Sequence, residues 1–498
     1  MKAKIMHKGP KMTLRALLAA GPALGLAACA SSPPLASPQA TVSPPARLVA
    51  PEAGLPSAGA PDRWWTLWGD PALNALVEKA LVANADIRVA QAHVRAARAL
   101  VSVSEAALYP TVAANGAAWG TLADTAADGA LGSLLAPFSE GNTGAGYLVG
   151  LGAQWEPDVF GGRHADAEAA RALADSAQWL AHGVALTVIG DVVENYQQWQ
   201  GLRRRLAILD QSIASARVLA DYLSARQRMG QAKALDVTKA QAALASLEAG
   251  RPPLLSLIDA RRRRLAVLAG DLPETPPAEA TNANMRVPPP PSGQFPSAIL
   301  ERRPDVRARM LIVAARAARL KSLKADLMPR FGISFMGQDG HIALSGLPGF
   351  GGPLGLVGVK ASVPIFTGGL LRGRIAAGHG ELEAALAGQD RAILLALEEV
   401  ETAYALRTGL DARLRGLEQA RDLSARRVDQ AQAFYRAGRM ALGDVLQAQL
   451  DAFADADKVE QTKLAQGSAT VQLYRAIAGG WGMNRSQTGL NAPEGAHP

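Results

Sequence analysis

One cysteine, Cys29, stands in 498 residues, so no disulfide can form within the chain and a disulfide-stapled exported scaffold is excluded. The seven histidines are scattered and form no HExxH, and no GxxxxGK[ST] phosphate cradle occurs. The glycines of "GLPGFGGPLGLVG" (346–358) have no lysine and helix after them, and read as loop and strand. No catalytic, cofactor or metal constellation is expected. Beyond the N-terminus no apolar run approaches the ~20 residues of a membrane helix; if this chain crosses a membrane, it does so with strands. Charge of one sign is also scarce. Five of the 52 basic side chains fall in the first 15 residues, which carry no acid, leaving 47 against 44, or +3. The basic balance is therefore no argument for nucleic acid, and no nucleic-acid motif stands out.

The N-terminus has the order of an export signal over residues 1–28. Lys2, Lys4, Lys8, Lys11 and Arg15 precede an apolar run from Ala16 to Ala28, which at 13 residues is too short to span a bilayer as a helix. The sequence "LAAC" that follows resembles the bacterial lipobox, which implies cleavage before Cys29 and a diacylglycerol on its sulfur. Acyl chains contribute ~0.8 kcal/mol of membrane affinity per buried CH2. Ala30 rather than Asp after the cysteine implies outer-membrane sorting, again by resemblance. An ordinary signal with an incidental cysteine is the other reading.

Two proline-rich segments divide the rest. Residues 29–61 read as a lipidated N-terminus and tether. Residues 273–296, with Pro288 to Pro291 in a row, read as a stiff connector. The blocks on either side, 62–272 and 297–482, repeat one another, and 483–498 is a tail. Asp86-Ile87-Arg88 and Pro110 in the first match Asp305-Val306-Arg307 and Pro329 in the second. "RMGQAKALDVTKAQ" (228–241) matches "RAGRMALGDVLQAQ" (436–449) at a constant offset of 208, with six identities.

Each block begins with a helix: Asp70 and Pro71 are good cap and first-turn residues, and the helical spacing of Leu73, Leu76, Val77 and Ala80 leads to an end near Tyr109-Pro110. The second copy runs from Pro304 to Met328-Pro329. The period then changes to two. Strands are expected at 111–121, 145–156, 330–338 and 355–365, joined in pairs by glycine-rich loops at 122–144 and 339–353. Strands of ~10 residues, apolar on one side, fit a membrane barrel; surface hairpins on a soluble domain fit almost as well. No proline then occurs between Pro157 and Pro252, or between Pro364 and Pro493. The stretches 163–229 and 371–437 predict helices of ~100 Å, which need lateral partners along their length, as in coiled coils.

"WWTLWGDPALNALVEKALVANADIRVAQA" (64–92), "LERRPDVRA" (300–308), "VPIFTGG" (363–369) and "RAGRMALGDVLQAQ" (436–449) together resemble the TolC-type outer-membrane efflux proteins, in their NodT-like lipoprotein branch. The resemblance covers nearly the whole chain after the signal. It implies an α+β membrane protein, a homotrimer whose protomers each give four strands to a shared 12-stranded barrel and long helices to a coiled-coil tunnel. It implies an outer-membrane exit duct, not an enzyme, that works with a periplasmic adaptor and an RND-type inner-membrane transporter in multidrug or other small-molecule efflux. A non-pore periplasmic lipoprotein with coiled-coil arms is the rival. Closure agrees with physics: four strands alone leave two unpaired edges in lipid, and three copies remove them.

Gly230 and Gly438 are expected to end the long helices, with Asp236 and Asp444 six residues on, at the start of the next helices. That is a helix–turn–helix tip. By resemblance the tips form the periplasmic mouth, where Asp236 and Asp444 make an acidic gating ring and Tyr435 holds the gate-tyrosine position. Two positions depart from the family: Gln447 stands where a second acid often follows, and Met440 where a basic partner falls, with Arg439 beside it.

Overall fold

The computed structural model describes residues 63–120, 144–276, 286–292, 295–344 and 349–478, with 42, 43, 45, 46, 48 and 49 before them. Contacts divide the chain after Gln39, and all described residues belong to the second unit. Cys29, the signal, the loop 121–143 and the tail lie outside the described residues.

A 3-10 turn (Trp64–Trp68) leads into α1 (Pro71–Ala83) and α2 (Ala85–Ala106), then β1 (Thr111–Gly120), β2 (Gly144–Trp155), α3 (Gly162–Arg228) and α4 (Ala234–Leu268). The second half runs α5 (Pro296–Arg302), α6 (Pro304–Ala325), β3 (Arg330–Leu344), β4 (Phe350–Ser362), α7 (Leu370–Arg436) and α8 (Leu442–Ala476). The long helices α3 and α7 have 67 residues each, and their returning partners α4 and α8 have 35 each. None of the described helices is long and apolar enough to cross a membrane.

The single helix expected over 71–109 is two. Asp70 caps α1 by accepting from the Ala72 N–H at 2.9 Å. At Asn84 the backbone turns extended (ψ 132°), and its side chain starts α2 by accepting from Asp86 and Ile87 N–H. Asn84 also donates to the Leu268 carbonyl at the end of α4, at 2.9 Å. Arg303, before α6, repeats the device: its Nη1 donates to the Ala476 carbonyl at the end of α8. So α4 abuts α2, and α8 abuts α6, and each pair runs beside one long helix. On the sheet side the lateral order is α2–α3–α6–α7; on the opposite side it is α4–α3–α8–α7.

At the junction level sits the main core. Trp64 stacks on Tyr474 at 5.1 Å, and Leu73, Val77, Val192, Tyr196, Val400 and Tyr404 fill around them. The Tyr196 hydroxyl donates to Asp70 at 2.8 Å, and burial, with that carboxylate, pushes its pKa up. Burial also pushes Tyr474 up to about 12. The proline-rich connector is held along α7, where Tyr404 donates to the Pro291 carbonyl and Arg407 to the Pro288 carbonyl.

The strands form one antiparallel sheet in the order β1-β2-β3-β4. Two boundaries differ from expectation. Residues 339–344 and 350–353, expected in a loop, extend β3 and β4, because Asp339 to Ile342 pair with Pro353 to Phe350. At the other end β4 stops at Ser362, opposite Arg330, the first residue of β3; Val363 and Ile365 lie beyond it, exposed, around Pro364, which has no N–H to donate. Pro252 and Pro253 lie inside α4 without ending it.

Candidate functional site: the sheet faces and the helical tips

Register sorts the sheet into two faces. Tyr147, Val149, Leu151, Ala153 and Trp155 of β2 share one face with Phe335 and Ile333 of β3 and with Val357 and Val359 of β4. These large side chains are exposed in the protomer, Val359 at 79%. Tyr147 and Trp155 stand at opposite ends of this largely apolar face, as interfacial aromatics do in membrane barrels, with Asp339 and His341 on it only at the Tyr147 end. Trp155 also donates its indole N–H to the Leu108 carbonyl at 3.0 Å, tying the sheet to the end of α2. The other face carries Asn115, Gln154, Ser334, Gln338 and Lys360 among small and apolar residues. β1 and β4 are edges, each with one side unpaired in the protomer.

The opposite ends of the long helices are the tips. Gly230 and Gly438 adopt the left-handed conformation, with φ of 73° and 69°. Around them Gln231 N–H donates to Arg226 O and Arg439 N–H to Phe434 O, both at 2.8 Å. Each closes the six-to-one bond of a Schellman turn, which an L side chain at the glycine would strain. Asp236 and Asp444 lie in the first turns of α4 and α8, exposed. Neither caps through its side chain. Among the described residues neither carboxylate has a hydrogen bond or ion pair, so each acts on its helix only through the dipole.

Tyr435 is exposed in the last turn of α7. Met440 packs against the Ala431, Val445 and Ala448 cluster. Gln447 donates to Asp451 at 3.0 Å, and Asp451 pairs with Arg427. Leu219 and Ala220 of α3, Ala240 of α4 and Leu446 of α8 bury one another, which sets the two hairpins side by side. One pair escaped the sequence reading. Arg226 donates to the Tyr222 hydroxyl at 3.0 Å and lies over its ring at 5.8 Å. A methyl group on Gly443 would stand 3.6 Å from that ring, so the pair flanks the Asp444 turn. Its signal was the spacing of four residues within one helix.

Known proteins share this arrangement. The pattern of the outer membrane efflux protein family matches residues 76–271 and 295–479. A pyoverdine export outer membrane protein of Pseudomonas aeruginosa, OpmQ, is 30% identical over 478 residues, 95% of this chain and 98% of its own. The toluene efflux pump outer membrane protein TtgI of Pseudomonas putida is 26% identical over 84% of this chain and 87% of its own. The structure of the outer-membrane channel OprN, 28% identical, covers 91% of this chain and 100% of its own at a TM-score of 0.76. The open-state MtrE channel of Neisseria gonorrhoeae, 22% identical, covers 91% of this chain and 98% of its own with a TM-score of 0.75 and so shares the fold. With a duplicated helical hairpin, a four-stranded sheet largely apolar on one face and a family match over most of its length, this chain belongs to the outer membrane efflux protein family and is an efflux channel of the outer membrane.

Proposed function

We propose that three copies of this chain form the exit duct of a tripartite pump, closing a 12-stranded barrel in the outer membrane above a helical tunnel. The carrying observation is the sheet. The apolar face is at home only in lipid, and there two open edges cannot persist, because each orphaned backbone group costs several kcal/mol. Joining β4 of one copy to β1 of the next removes every edge. A periplasmic adaptor and an RND-type inner-membrane transporter supply the work; cargo moves passively.

Asp236 and Asp444, repeated by threefold symmetry, make an acidic ring at the periplasmic mouth, with Tyr435 beside it. Their exposure and lack of partners support this role. In planar bilayers the full-length chain gives stepwise, cation-selective conductance. Asp444→Ala and Asp236→Ala raise basal conductance several-fold and weaken cation preference. A chain that inserts no conducting unit sinks the duct in favour of a non-pore lipoprotein.

Cys29 is the lipid anchor. The Val42 N–H donates to Asp390 at 3.1 Å and the Val49 N–H to Glu401 at 2.6 Å, so this segment follows α7 away from its start. Asp390 lies 20 residues into α7, ~30 Å below its membrane end. The 13 residues from Cys29 to Val42 can span up to ~43–47 Å, enough to reach lipid. Cys29→Ser removes acyl-chain labelling yet leaves trimers in the membrane fraction; loss of trimers would instead make the anchor part of assembly.

A further inference from the structure

A cavity of 1040 Å3 opens at the level where α4 meets α2 and α8 meets α6. Most of its lining faces away from the aromatic core, and Val188, Ala403 and Ala476 belong to both. At 100° per residue, Leu180, Thr187 and Asp191 of α3 point opposite to the core residues Ala185, Ile189, Val192 and Tyr196, while Val184 touches both. On α8 likewise, Gln472 and Arg475 face the cavity while Val471, Tyr474 and Ile477 face the core. The 3-10 turn, α1 and α5 cover the core side. Three such layers closed into a tunnel keep those bulky additions outside, which turns the cavity toward the bore.

The cavity wall is apolar and its rim is acidic. Val89, Ala90, Leu180 and Val184 supply aliphatic surface. The two arginines that line it are already engaged. Arg303 binds Asp305 through two bonds of 3.0 and 2.7 Å and Glu399 at 2.7 Å, and Arg475 binds Asp191 at 3.2 Å. Burial works against the Arg303 charge, but Asp305 and Glu399 outweigh it and raise its pKa. Asp86 of α2 and Glu398 of α7 enter from opposite sides of the cavity, exposed, with no ion pair or side-chain hydrogen bond among the described residues. The net result is an aliphatic wall between two uncompensated carboxylates. The volume is at the upper end of the ~300–1,000 Å3 of small-molecule sites.

We propose that this cavity is a resting site in the duct wall for amphiphilic cations in transit, with the apolar body against Val89, Leu180 and Val184 and the positive charge at Asp86 and Glu398. The inference rests on the duct reading, and the two can fail separately. Tetraphenylphosphonium and tetraphenylborate have the same shape and opposite charge, and each is added to the full-length channel in a planar bilayer. Block frequency reports capture at an acidic mouth, whereas dwell time reports the site. Tetraphenylphosphonium dwells about tenfold longer than tetraphenylborate, and Asp86→Asn with Glu398→Gln shortens its dwell about fivefold, as two exposed charge contacts allow. Thr187→Trp, which fills the cavity floor from an exposed position, shortens it as well. Equal dwell for both ions, or dwell unmoved by these variants, overturns the site while the channel stands. Absence of any conductance overturns both.

Discussion

The two repeats carry hairpins of identical length at one constant offset, yet they are buried very differently. In the first, α3 is an inner helix, touched by α1, α2, α4, α6 and α8. Val188, Ile189, Val192, Val193 and Tyr196 are all at most 3% exposed, so its middle is sealed within the protomer. In the second, α7 is an edge helix, packed on α6, α8 and the short α5. Leu395, Leu406 and Leu423 of α7 are exposed by about half, where the corresponding α3 positions are Thr187, Gln198 and Ser215. Of these α3 positions Thr187 is exposed and Gln198 and Ser215 are half-buried, so α7 shows leucine where α3 shows polar side chains. Half-exposed leucines make sense on an edge helix that waits for another chain. Duplication supplied the lengths; position in the layer then decided which copy became interior and which became edge.

Leu406→Glu with Leu423→Glu tests that contrast most severely. Trimers are lost from detergent extracts while circular dichroism retains the helices. Intact trimers would place these side chains in lipid or solvent and dissolve the comparison. A smaller but large effect is expected at Arg407. It is 4% exposed, binds Asp411 at 2.8 Å and Thr470 at 2.5 Å, and holds the connector through Pro288. Arg407→Ala leaves buried partners unpaired and costs about 3–5 kcal/mol in thermal unfolding. The matching first-repeat residue, Trp199, holds no such ion pair.

The smallest effect concerns how the long helices begin. Asp158 accepts from Arg163 N–H at 3.0 Å and His164 N–H at 2.7 Å, capping α3, whereas among the described residues no side chain caps α7. Burial raises the Asp158 pKa, but the backbone bonds from His164 and Arg163 outweigh it, and the net shift is downward. Asp158→Ala therefore costs about 1 kcal/mol at neutral pH. A depressed folded pKa means that this contribution is present above the ordinary value of 3.8 and disappears as pH falls through the folded one. Wild type and variant converge in Tm in strong acid; a gap that persists there would rule out the carboxylate as its source.

Much of this was legible because long helices and alternating strands are written in local periodicity. Proline-free stretches became α3 and α7, and Gly230 and Gly438 took the left-handed turns that only glycine adopts without strain. The break at Asn84 was less visible. An asparagine inside an apolar-periodic run reads as helix until the Leu268 carbonyl, 184 residues away, is seen beside it. The β3–β4 extension was hidden because glycine-rich strands resemble loops when their cross-strand partners are unknown. Met440, a departure from the family's basic position, lies in an apolar cluster that only the α7–α8 packing creates.

By itself the sequence determined the lengths of the helices, the turns that end them, the duplication and the two-faced strands. All of these follow from backbone conformation and near-neighbour side chains. The tertiary structure alone decided which copy is inner and which is edge, how Asn84 and Arg303 join stacked helices, and where a wall of apolar residues meets two uncompensated carboxylates. Those features depend on contacts between residues far apart in the chain, and no local period encodes which distant groups burial brings together.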